Sequence, residues 1–313
     1  MDKTREKYST IHYRNYLELD KVLSAQNLRS ADLEETPAHD EMLFIIVHQT
    51  YELWFKQIIH ELESVLAMFR KEKVDEKNIG TSIARLERVL DIQKILIEQI
   101  GIMETMTPLD FLDFRKYLFP ASGFQSFQFR KIENLLGLES PQRMTYNGCP
   151  YSSVFSEERK NELHQMEEDT SLFEAIERWL ERTPFLQTGD FDFLTEYKSA
   201  VQRMLEQEKE AISQSAYLSD EEKTMRVSML EGTDNYFSVV LDKDKYEKLQ
   251  KNGEIRMSYR ATIAGLLINL YRDEPLLHLP YRLLTCVIEI DDQMTTWRYR
   301  HAQMVLRMLG NKM

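Results

Sequence analysis

Between Asp40 and Lys71 the sequence reads DEMLFIIVHQTYELWFKQIIHELESVLAMFRK. Its apolar residues recur at Phe44, Val47, Tyr51, Phe55, Ile58, Leu62, Val65 and Phe69. Steps of three and four put them on one stripe of an α-helix. The reading is therefore one long helix from Asp40 to Lys71, with an apolar face that must be covered by other elements. Asn78 to Ile102 repeats the pattern through Ile83, Leu86, Leu90, Ile97 and Ile100. Two such helices in succession point to an all-α fold.

The rest of the chain continues in the same style. Thr107-Pro108 is a start signal, a hydroxyl cap followed by proline at the first helical position, for a helix to about Tyr117. Ser122-Gly-Phe-Gln125 matches a capping box, predicting a helix that ends near Gly137. Tyr13 to Leu23 reads as one short amphipathic segment, and Leu28 to His39 and Pro141 to Ser156 read as loops. Glu157 to Arg182, Phe191 to Gln214, Ser219 to Asp244 and Lys245 to Lys251 are charged helices with thin apolar faces. This region, about 140–257, reads as a peripheral helical insertion in a single domain spanning 1–313. Ser258 to Tyr271 is a more apolar core helix, and Tyr281 to Leu309 a last long one ending at Gly310. No repeat is present, and no alternating pattern is long enough for a sheet.

Composition agrees with a helical protein. The 313 residues are 42% hydrophobic and 29% charged, with ten Gly and eight Pro. That length is ample for a core. The formal charge of -12 is scattered over helix faces, which is the pattern of a solvated surface. No basic stripe suits nucleic acid. The longest apolar stretch, Ala261 to Tyr271, is interrupted by Asn269 and is too short for a bilayer. No apolar segment follows the opening Met-Asp-Lys-Thr-Arg-Glu-Lys, so the cytoplasm is the expected location. Cys149 and Cys286 make neither a disulfide framework nor a zinc site.

Three places could carry chemistry. His48 sits in Phe44-Ile-Ile-Val-His48, with Phe44, Tyr51 and Phe55 on its face of the helix. An imidazole among aromatics can be the polar handle of an apolar pocket. From this segment alone, a buried histidine bonded to a neighbour is the commoner explanation. His301 follows Trp297-Arg-Tyr-Arg, with Met304 and Val305 beyond it. Helical haem proteins present an axial histidine in this way, yet a core histidine is again commoner. Covalent haem attachment through Cys-x-x-Cys-His is excluded. Phe111 and Arg115 lie four apart, an aromatic wall beside a guanidinium that can hold a carboxylate. The bland alternative is a surface ion pair with Asp110, Asp113 or Glu63. Free N–H groups after Ser122 suit polar ligand groups.

Four stretches resemble the tryptophan 2,3-dioxygenase family. They are Tyr13 to Asp20 (YRNYLELD), His39 to Gln57 (HDEMLFIIVHQTYELWFKQ), Leu109 to Arg130 (LDFLDFRKYLFPASGFQSFQFR) and Trp297 to Gly310 (WRYRHAQMVLRMLG). Weaker similarity lies between them, at Trp179 to Pro184, Ser258 to Ala261 and Leu283 to Thr285. The resemblance implies a helical bundle around haem b, usually a homotetramer, that converts L-tryptophan and O2 to N-formyl-L-kynurenine. It implies that His301 is the axial iron ligand and His48 the distal histidine near the indole N–H. By the same match, Phe44 and Phe111 pack the indole, Arg115 binds the carboxylate, and Ser122 lies near the substrate amine. Tyr13 and Tyr16 match tyrosines contributed by a neighbouring subunit. In the family a Gly-Thr-Gly-Gly loop follows the last stretch, whereas this sequence runs to Asn311-Lys-Met313. The expectation is that haem binds and that tryptophan is held poorly by the chain as written.

Rival readings share the pocket. A related haem-dependent monooxygenase would insert one oxygen atom rather than two. A haem or tryptophan sensor would bind without turnover. A di-iron carboxylate bundle could use His48 with Glu52, but the paired Glu-x-x-His motifs of that class are missing.

Overall fold

The computed structural model describes residues 10–33, 36–71, 73–139, 143 and 150–310. The fold is all-α. The predicted first long helix is α3 (Asp40–Phe69) and the second α4 (Glu76–Met103). The third is α13 (Pro275–Leu309). These three pack on one another, with the broadest contact between α4 and α13. The stripe on α3 is the buried one: Ile58, Leu62 and Val65 are wholly inaccessible, against Leu86 and Val89 of α4 and Leu283 of α13. Burying each such side chain contributes roughly 1.5–3 kcal/mol.

Around this core sit α5 (Pro108–Leu118) and α6 (Phe127–Leu136), both against α3. They are followed by α7 (Glu157–Glu168), α8 (Leu172–Glu181), α9 (Phe193–Gln214), α10 (Asp220–Leu241), α11 (Lys243–Lys251) and α12 (Tyr259–Leu270). α9 packs on α10, and α8 on α12. Near the N-terminus lie α1 (Tyr13–Tyr16) and α2 (Leu19–Val22), where one amphipathic segment is expected. Glu18 divides them by taking a left-handed backbone, and neither piece buries a residue.

Several expected boundaries move, each for a local reason. The segment Glu157 to Arg182 is two helices, because Ser171 and Glu174 form a reciprocal capping box that starts α8 afresh. The Ser122 capping box is formed, but it closes only a short 3-10 turn, Gly123–Gln125. The helix proper begins after Ser126, whose hydroxyl caps the Phe129 amide. Gly137 ends α6 in the left-handed region, φ 93, and both it and Leu138 bond back into the last turn. A side chain there would meet Ser171 Oγ at 2.7 Å, so glycine is required twice over. α13 starts six residues before the expected Tyr281 and carries Pro280 inside it. A two-residue hairpin, β1 (Gln187–Thr188) with β2 (Phe191–Asp192), is the only strand pairing among the described residues. Most of the loop predicted between Pro141 and Ser156, including Cys149, lies outside them, as do residues 311–313. Among the described residues no helix is long and apolar enough to cross a membrane.

Candidate active site

The apolar stripe of α3 puts His48 one turn after Phe44, and their ring centroids are 4.1 Å apart. His48 Nδ1 lies 2.7 Å from the Phe44 carbonyl oxygen. A carbonyl can only accept, so in the neutral ring Nδ1 carries the proton and Nε2 is an acceptor. Phe44 meets α5 through Phe111 at 5.8 Å and Phe114 at 5.6 Å, and those two rings meet edge-on at 5.4 Å. Helix α5 is fixed at its start by Thr107, whose hydroxyl accepts from the Asp110 amide while the Asp110 carboxylate returns to Thr107. Arg115 follows Phe111 by one turn and stands exposed. The proposed bland partner Asp110 is thus occupied by Thr107, and no ion pair of Arg115 is formed among the described residues.

α13 supplies His301. Trp297, one turn earlier, stacks on it with centroids 5.2 Å apart and planes 20° from parallel. Trp297 is in turn met edge-on by Tyr51 at 5.8 Å and Phe55 at 5.9 Å, and by Phe129 of α6 at 5.2 Å. The α3 stripe that carries His48 therefore also seats the helix turn that carries His301. Burial pushes the His301 imidazole down to about 4, and His48 adds to the effect. Burial likewise lowers His48, partly offset by its bond to the Phe44 carbonyl and by the Glu52 carboxylate. Both rings are neutral at pH 7. Among the described residues neither ring nitrogen of His301 has a hydrogen-bond partner. A neutral, desolvated imidazole with an uncommitted nitrogen is the donor that a haem iron takes. Among the described residues no three His, Cys, Asp or Glu side chains gather to hold a bare metal ion.

The remaining expected residues stand as follows. Ser122 is half-buried and its Oγ accepts from the Phe124 amide at 3.4 Å, leaving its own proton free to donate. Tyr13 and Tyr16 are 74% and 71% exposed and bury nothing in this chain. An apolar cleft of about 560 Å³, lined by Leu28, Pro37, Ala38, His39, Met42 and Ile46 among others, lies at the start of α3 and includes none of the predicted site residues. Phe114 and Phe129 are the site aromatics that sequence reasoning missed. Their spacing from Phe111 and from the Ser126 cap would have pointed inward once the helix starts were known.

The family model for tryptophan 2,3-dioxygenase matches residues 2–313. The chain belongs to the tryptophan 2,3-dioxygenase family. It is 49% identical over 306 residues to the tryptophan 2,3-dioxygenase of Bdellovibrio bacteriovorus, covering 98% of this chain and 85% of that one. It is 43% identical over 302 residues to that of Dictyostelium discoideum, covering 96% and 75% of the two chains. Against the tryptophan 2,3-dioxygenase of Xenopus laevis it is 44% identical over 301 residues, with 96% and 73% covered.

Proposed function

We propose that this chain opens the pyrrole ring of L-tryptophan with O2 to give N-formyl-L-kynurenine, as a homotetramer in the cytoplasm. The observation that carries the reading is the pair of neutral imidazoles, His48 and His301, held near each other by one aromatic stripe. Both oxygen atoms enter the product, so the balance closes without an external reductant.

His301 would hold haem b, which would supply the iron chemistry that activates dioxygen. The donor chemistry fits, because His301 is half-buried, neutral and uncommitted. His48 is engaged through Nδ1 with the Phe44 carbonyl and is thereby oriented. Its Nε2 accepts the indole N–H, which fixes the ring rather than ligating iron. Phe44 and Phe111 pack the indole face and edge, and Phe114 backs both. Arg115 pairs with the substrate carboxylate through its planar fork. Ser122 Oγ, with a lone pair beyond the one taken by the Phe124 amide, accepts from the substrate ammonium. Tyr13 and Tyr16 of a neighbouring subunit close the pocket and exclude water, which accounts for rings left in solvent by a single chain.

The test is to reduce the haem-loaded protein anaerobically with L-tryptophan, then admit O2. Appearance of a product heavier by two oxygen atoms supports ring cleavage. One added oxygen atom means monooxygenation, and binding without any product means a sensor.

A further inference from the structure

Helix α6 begins where α3 lends it a carboxylate. Ser126, the cap of α6, gives its hydroxyl proton to Glu52 Oε1 at 2.6 Å while accepting the Phe129 amide at 3.2 Å. Gln128 Nε2 donates to Glu52 Oε2 at 2.8 Å and to the Glu52 main-chain carbonyl at 2.7 Å. Glu52 is one turn after His48 on the same helix. One side chain of α3 therefore holds the first turn of α6 at two points, and its charge faces the positive end of that helix. Fixing a glutamate in this way costs rotamer entropy that a solvated surface residue keeps.

The stretch that leads into this tether is the Ser122 turn. Its side-chain bonds are long: Ser122 N–H to Gln125 Oε1 at 3.2 Å, Phe124 N–H to Ser122 Oγ at 3.4 Å, and Gln125 Nε2 to the Pro120 carbonyl at 3.5 Å. Hydrogen bonds to an ionised acceptor are shorter and stronger than neutral ones. The turn is closed by two backbone bonds, Gln125 N–H to the Ser122 carbonyl at 2.9 Å and Ser126 N–H to the Gly123 carbonyl at 3.1 Å, so it moves as a unit whose firm side-chain anchor is its last residue, Ser126.

We propose that Glu52 is a positioning residue, which sets the Ser122 turn relative to His48 and so governs how tightly tryptophan is held, without acting on haem retention. This rests on the assignment of Ser122 to the substrate amine made above. The partners also define a conservative replacement. A hydroxyl and a side-chain amide can both turn to suit a glutamine at position 52, so Glu52→Gln should keep the link and Glu52→Ala should not.

The experiment compares haem-loaded wild type, Glu52→Ala, Glu52→Gln and Gln128→Ala by haem content and by L-tryptophan titration of the Soret band. Amide exchange of residues 122–130 is followed in the same proteins. In Glu52→Ala we expect full haem content, about tenfold weaker tryptophan binding and faster exchange at Phe124 and Phe129, with α4 unchanged. Glu52→Gln should return to within about threefold of wild type, and Gln128→Ala should lose about threefold. Unchanged tryptophan affinity in Glu52→Ala overturns the proposal. So do equal losses in Glu52→Gln and Glu52→Ala, since charge rather than the tether would then matter. If Glu52→Ala does not fold, Gln128→Ala decides, and wild-type affinity there overturns the proposal as well. A wild type with no response to tryptophan would instead overturn the substrate reading itself, which is distinct from tight binding in wild type and variant alike.

Discussion

Trp297 lies over His301 with ring centroids 5.2 Å apart, and three further aromatic rings, from Tyr51, Phe55 and Phe129, close around its other sides. The indole buttresses the imidazole, so the turn of α13 between them is packed whether or not His301 has a side chain to offer. His301→Ala should therefore lose haem and keep its helices. Far-UV circular dichroism should match wild type while the Soret band disappears. A Soret band of full intensity and unchanged shape in the variant would remove His301 from the iron.

His48 gives the opposite pattern. His48→Ala should retain haem and lose turnover by about tenfold or less if one net hydrogen bond to the indole is its role. The acid side of the pH profile follows from the direction of its shift. Burial lowers the His48 pKa below its ordinary 6.5, so the neutral ring with Nε2 as acceptor persists below that pH. Protonation of Nε2 then removes the acceptor. The acid limb of kcat/KM should fall below pH 6.5, and an acid limb above 6.5 that vanishes in His48→Ala would contradict the burial of this ring.

Arg115 is exposed and carries no ion pair among the described residues, so it is available to a ligand carboxylate. Arg115→Lys keeps the charge and loses the fork. Binding of L-tryptophan should weaken, while tryptamine, which has no carboxylate, should bind as in wild type. Comparable losses for both ligands would take Arg115 out of the carboxylate role.

Tyr13 and Tyr16 remain over 70% exposed on a four-residue helix that buries nothing, beside Ile11 and Leu23 at 60% and 73%. A helix so short is not stable by itself in water. Light scattering should find an oligomer, and Tyr13→Ala with Tyr16→Ala should weaken tryptophan binding and leave haem content intact. A monomer that turns over at the full rate would refute the shared pocket.

The parts of this fold that the sequence made legible are those governed by periodicity. The stripes of α3 and α4 run for many turns, and their observed ends fall within two residues of the expected ones. Where one capping choice decides a boundary, periodicity fails: Ser126 rather than Ser122 opens α6, and Ser171 splits Glu157 to Arg182. The hairpin at Gln187 is too short to show a period. For the site, Phe44 and His48 fall on one face by spacing alone. Nothing in the spacing pairs His48 with the distant His301, and only the family resemblance joined them. Charged residues were the least legible. Glu41 and Glu52 look like any solvated glutamate in a helix, because burial and partner are tertiary facts.

Glu41 offers the sharpest test of that last point. It is 1% exposed, and its carboxylate accepts the Arg29 amide at 2.8 Å and the Ser30 amide at 2.9 Å, with the Ser30 hydroxyl as a third donor. Ser30 is equally buried, and its Oγ accepts the Ala38 amide at 3.0 Å, so one carboxylate organises the connection into α3. Glu41→Ala strands these donors and should cost roughly 2–4 kcal/mol. Glu41→Gln should recover little of it. Two of the donors are backbone N–H groups that cannot turn round, and an amide sets its own N–H groups against one of them. This is the reverse of the expectation at Glu52, where both partners are side chains free to rotate. Urea unfolding of the haem-free protein measures both variants. A Glu41→Gln midpoint indistinguishable from wild type would show that the carboxylate is not bonded on both oxygens, and that Arg29 and Ser30 are held by other contacts.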